Sequence, residues 1–214
     1  MRIPIIKKLR KRQQVQVATL QDMLMEIVYN LVETPVLHGG TAVWRCYGGN
    51  RFSEDLDFYF MPDPDFEERL SRTLPSYGMK LLKFKDTGNV LFSKMGDGEA
   101  EIRLESNHVV VKDSVIRDFE KIDGSPMTVN TLSEESLIKE KMAAYLDRKL
   151  IRDVYDVYFL SSMVEPALVK KEASAFLHDM PAPVDPDVLK ILIFSGAVPT
   201  FESMVRTIRS RLVQ

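Results

Sequence analysis

This sequence has one cysteine, three scattered histidines, no long apolar run and almost no net charge, and each shortage removes a class of protein. Cys46 has no partner, which rules out an internal disulfide framework and suits a reducing compartment. His38, His108 and His178 lack any spacing that fits zinc ligation. No apolar run approaches the roughly 20 residues that a membrane span needs. The opening segment, MRIPIIKKLRKR, carries no signal-type apolar core, so a cytoplasmic protein with no membrane partner is expected. With 29 basic against 31 acidic residues, the overall field does not mark a nucleic-acid binder, and such a role has to come from local patches.

Enough remains for a substantial core. The chain has 214 residues and 45% hydrophobic content, enough for one large domain or two small ones. Val17, Leu20, Leu24, Ile27, Val28 and Leu31 recur at three- and four-residue steps, predicting an amphipathic helix over about 14–32 that backs a sheet starting at 36. The preceding Lys7, Lys8, Arg10, Lys11 and Arg12 read as a solvated helix start or as a local contact for RNA phosphates.

Short β-type runs follow at 55–60, 79–85, 89–95, 100–106 and 108–111, with a helix over 65–74 and turn formers such as Asp86-Thr87-Gly88 between them. From Thr131 the period becomes helical. Thr131 and Glu134 have capping-box spacing, and Leu137, Ile138, Met142, Tyr145 and Leu146 supply an apolar face. Further helices are predicted over 151–163, from Pro166 towards Pro181, over 187–194 and over 200–213. The expected architecture is α+β, a mixed sheet in 1–130 followed by a helical bundle in 131–214.

The chemistry concentrates in 38–59, HGGTAVWRCYGGNRFSEDLDFY. Residues two apart on a strand share a face, so Asp55 and Asp57 project together while Leu56 and Phe58 point to the core. Two carboxylates side by side can share divalent cations; magnesium, or manganese in its place, is the expected ion. Gly39 and Gly40 let the backbone approach a ligand, and a helix starting at Thr41 would aim its free N–H groups at an anion. Ser53 can donate to a phosphate oxygen, and Arg51 can add charge-assisted bonds. Each piece alone has a plain structural reading, a tight turn or solvated acids; the ordered set has none. Downstream, Asp153 and Asp156 share a helix face beside Arg148, Lys149 and Arg152, a cluster that reads either as a site or as a surface salt-bridge network.

In order, these residues resemble the DNA polymerase β-type nucleotidyltransferases, and within them the AbiEii/AbiGii branch of type IV toxins, also called the MenT group. Gly-Gly-Thr-Ala followed by Arg-x-Ser-x-Asp-x-Asp carries the first match. Glu-Lys and then Arg-Asp-x-Tyr-Asp-x-Tyr, within 134–160, carry the second. The resemblance implies a polymerase β-like fold with a nucleoside triphosphate as substrate. Asp55 and Asp57 would then hold metal, Gly39, Gly40, Thr41, Arg51 and Ser53 would hold substrate, and Lys141 would contact phosphates, with Asp153 and Asp156 organising the site. A third catalytic acid is implied in IRLES, Glu105, with Glu101 in reserve. By resemblance the acceptor is RNA, the 3′ end of tRNA, and an antitoxin encoded nearby is the partner. Phosphotransfer to a protein or nucleotide, and nucleotide binding without turnover, stay open as alternatives.

Overall fold

A computed structural model describes residues 3–214. Its centre is a seven-stranded mixed sheet of β1 (Val36–His38), β2 (Leu56–Tyr59), β3 (Lys80–Asp86), β4 (Val90–Gly96), β5 (Glu101–Asn107), β6 (Ser114–Glu120) and β7 (Pro126–Leu132), in the order β3-β4-β5-β2-β1-β7-β6. Two pairings are parallel, β2 with β5 and β1 with β7; the rest are antiparallel.

One face of the sheet is covered. The long helix α2 (Arg12–Leu31), behind the four-residue α1 (Ile5–Lys8), packs with α4 (Phe66–Thr73) against β5 and β3. Strict alternation in β5 explains the sidedness: Ile102, Leu104 and Ser106 are buried, whereas Glu101, Arg103 and Glu105 face outward. The short α3 (Gly39–Arg45) is pinned to α2 by Arg45, which pairs with Asp22 and sits between the rings of Trp44 and Phe119. Such a buried pair is tolerated because Asp22 also accepts the Ile122 amide at 2.7 Å.

The chain then turns helical, with α5 (Glu134–Arg148), α6 (Ile151–Leu160), α7 (Pro166–His178), α8 (Leu189–Leu192) and α9 (Phe201–Leu212). Helix α5 crosses to the uncovered face, where Glu140 takes a hydrogen bond from Tyr59 at 2.5 Å. Helices α5 and α6 meet α3, and α5 also reaches β7 and, through Glu140, His38 and Tyr59, which leaves a cleft beside β2.

Several expectations are corrected. The run at 108–111 is not a strand: Val109 and Val110 are exposed, the His108 amide bonds the Asn89 carbonyl beside β4, and the Val109 amide bonds only locally, to Asn107. The last two strands instead come from 114–132. Their mixed polar sequences fit an edge hairpin, turned at Asp123-Gly124, where Gly124 takes φ +91. Position 130, where strand was expected to give way to helix, lies inside β7. Thr131 buries its hydroxyl against the Leu37 carbonyl, and the cap of α5 is Ser133, which accepts the Ser136 amide. Leu146 lies on the exposed side of α5. Helix α6 ends at Leu160, three residues early, where Ser161 and Ser162 bond back to the carbonyls of Tyr158 and Phe159. Of 187–194 only Leu189–Leu192 is helical, because Ile193 leaves it to bridge Arg51. Helix α2 begins two residues before the predicted position and ends at Leu31.

Candidate active site

Ten residues line a cavity of about 210 Å³ in the cleft, and its composition sets its chemistry: Gly40 and Ser53, three carboxylates (Asp55, Asp57, Glu105) and five cations (Arg51, Arg103, Lys141, Arg148, Arg152). The acids lie on the sheet side. Asp57 and Glu105 are direct neighbours across the parallel β2–β5 pair, and Asp55 sits just before β2. Most of the cations come from the helical side or from the loop before β2.

The glycine turn is fitted to Asp57. Gly39 opens α3 with φ +72, and a Cβ there would collide with the Asp57 carboxylate; one on Gly40 would meet the Arg51 guanidinium and the Ser53 hydroxyl. A Gly39→Ala variant should therefore lose activity through displacement of Asp57. It should also lose about 1–3 kcal/mol of stability from the left-handed backbone. Thermal melting alongside a transfer assay checks both, and an active variant of unchanged melting temperature would contradict the fit. Thr41 does not reach the cavity. It is fully buried, with its hydroxyl donating to the Asp55 carbonyl at 2.5 Å, so it fixes where the acidic strand starts. The helix itself spans seven residues and begins at Gly39, two positions before the predicted Thr41.

Behind the cations lies a buried network. Arg51 makes a bidentate pair with Asp156, both bonds at 2.8 Å. Lys141 Nζ stands 3.1 Å from Asp156 and 3.8 Å from Asp153, and Arg148 grips Asp153 through two bonds of 2.7 Å. Asp153 and Asp156 are 0% and 1% exposed, so they are not a solvated surface network; they are the inner anchors that hold three cations toward the cavity. For Asp156, burial alone would raise the pKa, but Arg51 and Lys141 outweigh it and hold the carboxyl below its ordinary value. Arg152 makes no ion pair among the described residues.

The sheet acids are in the opposite electrostatic state. Burial pushes Asp57 up, only partly offset by His38 and Lys141. Glu105, exposed on its outer side, is also raised, by the partial loss of water around it and by the neighbouring carboxylates of Asp57 and Asp55. Crowded carboxylates with raised pKa values mark a place that favours added positive charge. The donor set is all oxygen, which suits a hard divalent cation. No three His, Cys, Asp or Glu groups among the described residues converge on a single metal position. Two carboxylates are nonetheless what a magnesium site commonly uses, the remaining positions going to water and substrate phosphate. Asp55 and Asp57 fit that role, although Arg103 already holds Asp55 through two bonds of 2.8 and 2.9 Å.

Two features escaped sequence reasoning. Arg103 was legible only through the alternation of IRLES, which puts it on the Glu105 side. The reserve acid Glu101 shares that side but pairs with Lys94 outside the cavity. The second feature is a clamp: His38 stacks on Tyr59 at 3.9 Å with its Nδ1 3.3 Å from Glu140, joining the residue before the glycine turn, strand β2 and the helix that carries Lys141.

Comparisons with known proteins give the chain a family and its fold relatives. The family model described as the nucleotidyl transferase AbiEii toxin, type IV toxin–antitoxin system, matches residues 29–192. Among solved structures, the chain is similar to the nucleotidyltransferase toxin MenT4 from Mycobacterium tuberculosis, at 21% identity and TM-score 0.65, over 94% of this chain and 82% of that one. It is also similar to JHP933 from Helicobacter pylori, at 22% identity and TM-score 0.64, over 95% of this chain and 92% of that one. No curated protein matches the sequence.

Proposed function

Since the chain belongs to the AbiEii family, the nucleotidyltransferase toxins of type IV toxin–antitoxin systems, we propose that it moves a nucleoside monophosphate from a nucleoside triphosphate to an RNA hydroxyl, the 3′ end of tRNA. The observation that carries this reading is one cavity in which three carboxylates of the sheet side, with Arg103 among them, meet four cations, Arg51, Lys141, Arg148 and Arg152, from the helical side and the loop before β2. A triphosphate matches the cations, and an incoming hydroxyl matches the acids.

Arg51, Lys141, Arg148 and Arg152 bind the phosphate oxygens, with the first three held at fixed positions by Asp156 and Asp153. Fixed positive groups stabilise charge that develops on the leaving phosphates without reorganising during the reaction. Ser53 and the backbone at Gly40 sit beside them. Asp55 and Asp57 are the residues that would hold magnesium or manganese, which would supply neutralising charge and lower the pKa of the acceptor hydroxyl. Glu105, raised by partial loss of water beside Asp57, orients the hydroxyl and receives its proton. The acceptor oxygen then bonds to the α-phosphorus, the α–β anhydride bond breaks, and pyrophosphate leaves. Blocking RNA ends in this way would stop translation, with an antitoxin encoded nearby as the countering partner.

Among the described residues no helix is long and apolar enough to cross a membrane. The test is a labelling assay: RNA with intact 3′ ends should take label from an α-labelled nucleoside triphosphate, and periodate-oxidised RNA should not. Equal labelling of both would place the acceptor elsewhere and sink the 3′-end reading.

A further inference from the structure

The catalytic face of the sheet does not stop at β5. Register carries it outward in two rows of side chains. Asp57 neighbours Glu105, Glu105 neighbours Phe92, and Phe92 neighbours Lys85. One step along, Arg103 neighbours Lys94, and Lys94 neighbours Lys83. Arg103, the first member of that second row, is the residue that grips Asp55.

No helix covers this part of the face. Glu101, Arg103, Glu105, Lys83 and Lys85 are exposed, and Phe92 and Lys94 are half-exposed. Lys83 and Lys85 make no ion pair among the described residues, and Lys94 has a single one, to Glu101. Phe92 lies on this open face, with the Lys83 ammonium 5.3 Å over the centre of its ring.

We propose that this open β5-β4-β3 face is the track along which the single-stranded end of the acceptor RNA reaches the cavity. Phe92 stacks on a base, and Lys83, Lys85 and Lys94 contact phosphates. The inference rests on RNA being the acceptor and adds where it lies. An aromatic ring among basic side chains on an open sheet is the combination that binds single strands without reading sequence, because every base has a face to stack and every nucleotide a phosphate. The spacing is suitable. Three strand separations of about 4.8 Å place Lys85 roughly 14 Å from Asp57, within reach of a short unpaired end. The plainer account of Lys83 and Lys85 is that they blunt an edge strand against pairing with another copy. That account does not explain an outward phenylalanine in the row that ends at the catalytic acids.

The test is fluorescence anisotropy of the full chain with a short 5′-labelled single-stranded RNA bearing a free 3′ end. A variant combining Lys83→Ala, Lys85→Ala and Lys94→Ala should bind at least about tenfold more weakly. It should also lower the log–log salt slope by about 2, three phosphate contacts at about 0.7 each. Phe92→Leu, which keeps the packing volume but cannot stack, should weaken binding between about five- and a hundredfold. Both variants should keep wild-type affinity for the nucleoside triphosphate. If the wild type labels RNA but the variants bind it unchanged, the track is wrong and the reaction stands. Self-association of the triple variant in light scattering would then identify the lysines as edge guards. If the variants lose binding but no RNA is ever labelled, the face binds single strands without presenting an acceptor, and the track fails together with the reaction. RNA binding by the wild type too weak to measure overturns the track.

Discussion

Asp57→Asn should abolish nucleotide transfer while unfolding, in metal-free buffer, at a temperature at or above that of the wild type. Both halves follow from one fact: Asp57 is a carboxylate drawn out of water beside Asp55 and Glu105, with its pKa raised first by burial. A folded-state pKa above the unfolded value means that the ionised form is disfavoured in the fold. Stability therefore falls as pH rises through the folded pKa. Replacing the acid with a neutral amide of the same shape removes that penalty. The same replacement removes a charge that a metal-assisted reaction needs. The gap in melting temperature over the wild type should shrink when magnesium is added, because only the wild type has the full set of oxygen donors. A destabilised, inactive variant would instead mean that Asp57 is mainly structural, and retained transfer would mean that the acid has been misassigned.

Asp156→Ala should produce the largest loss of stability of any single change in the cleft. Asp156 neutralises Arg51, which is 4% exposed, and Lys141, which is 5% exposed. Removing it leaves the buried Arg51 without its ion partner and Lys141 with only Asp153, 3.8 Å away, and breaking a buried pair from one side costs about 3–5 kcal/mol. The pH dependence has a definite sign. The folded-state pKa of Asp156 is depressed, with burial outweighed by Arg51 and Lys141. Its contribution is therefore complete above the ordinary carboxylate pKa of about 3.9 and is lost as pH falls through the lower folded value. Denaturant melts at neutral pH should show the full gap between wild type and variant, and melts at progressively lower pH should show it closing. A gap that stayed constant into acid would mean that Asp156 acts through packing and not through charge.

What the sequence made legible was local. A turn at Gly39 and Gly40, and Asp55 and Asp57 on one side of a strand, could each be read because glycine's freedom at positive φ and strand alternation act over a few residues; that the two pairs meet is visible only in the fold. Lys141 was placed near them only through its resemblance to the family motif. The remote relations were hidden. Nothing local tells that Asp156 is buried against a guanidinium 105 positions away, or that Asp55 is gripped by Arg103 across 48 positions. Thr41 was expected to face substrate because it follows the glycines, but one helical step turns its hydroxyl inward to the Asp55 carbonyl. The β6–β7 hairpin was missed for a related reason. SVIRDFE and PMTVNTL mix polar and apolar residues as an exposed edge pair does, whereas the apolar 108–111 looks like a strand and lacks a partner. The clamp of His38, Tyr59 and Glu140 joins three elements that only the tertiary fold brings together.

The measurement that bears most directly on the central claim is the fate of each phosphate. The protein should be incubated with magnesium, tRNA and each nucleoside triphosphate labelled in turn at the α- and at the γ-phosphate. Nucleotidyl transfer predicts that the α-label joins RNA and the γ-label leaves in pyrophosphate. Transfer of the γ-label to RNA, protein or nucleotide, with release of a nucleoside diphosphate, would contradict the account and make the cleft that of a phosphotransferase.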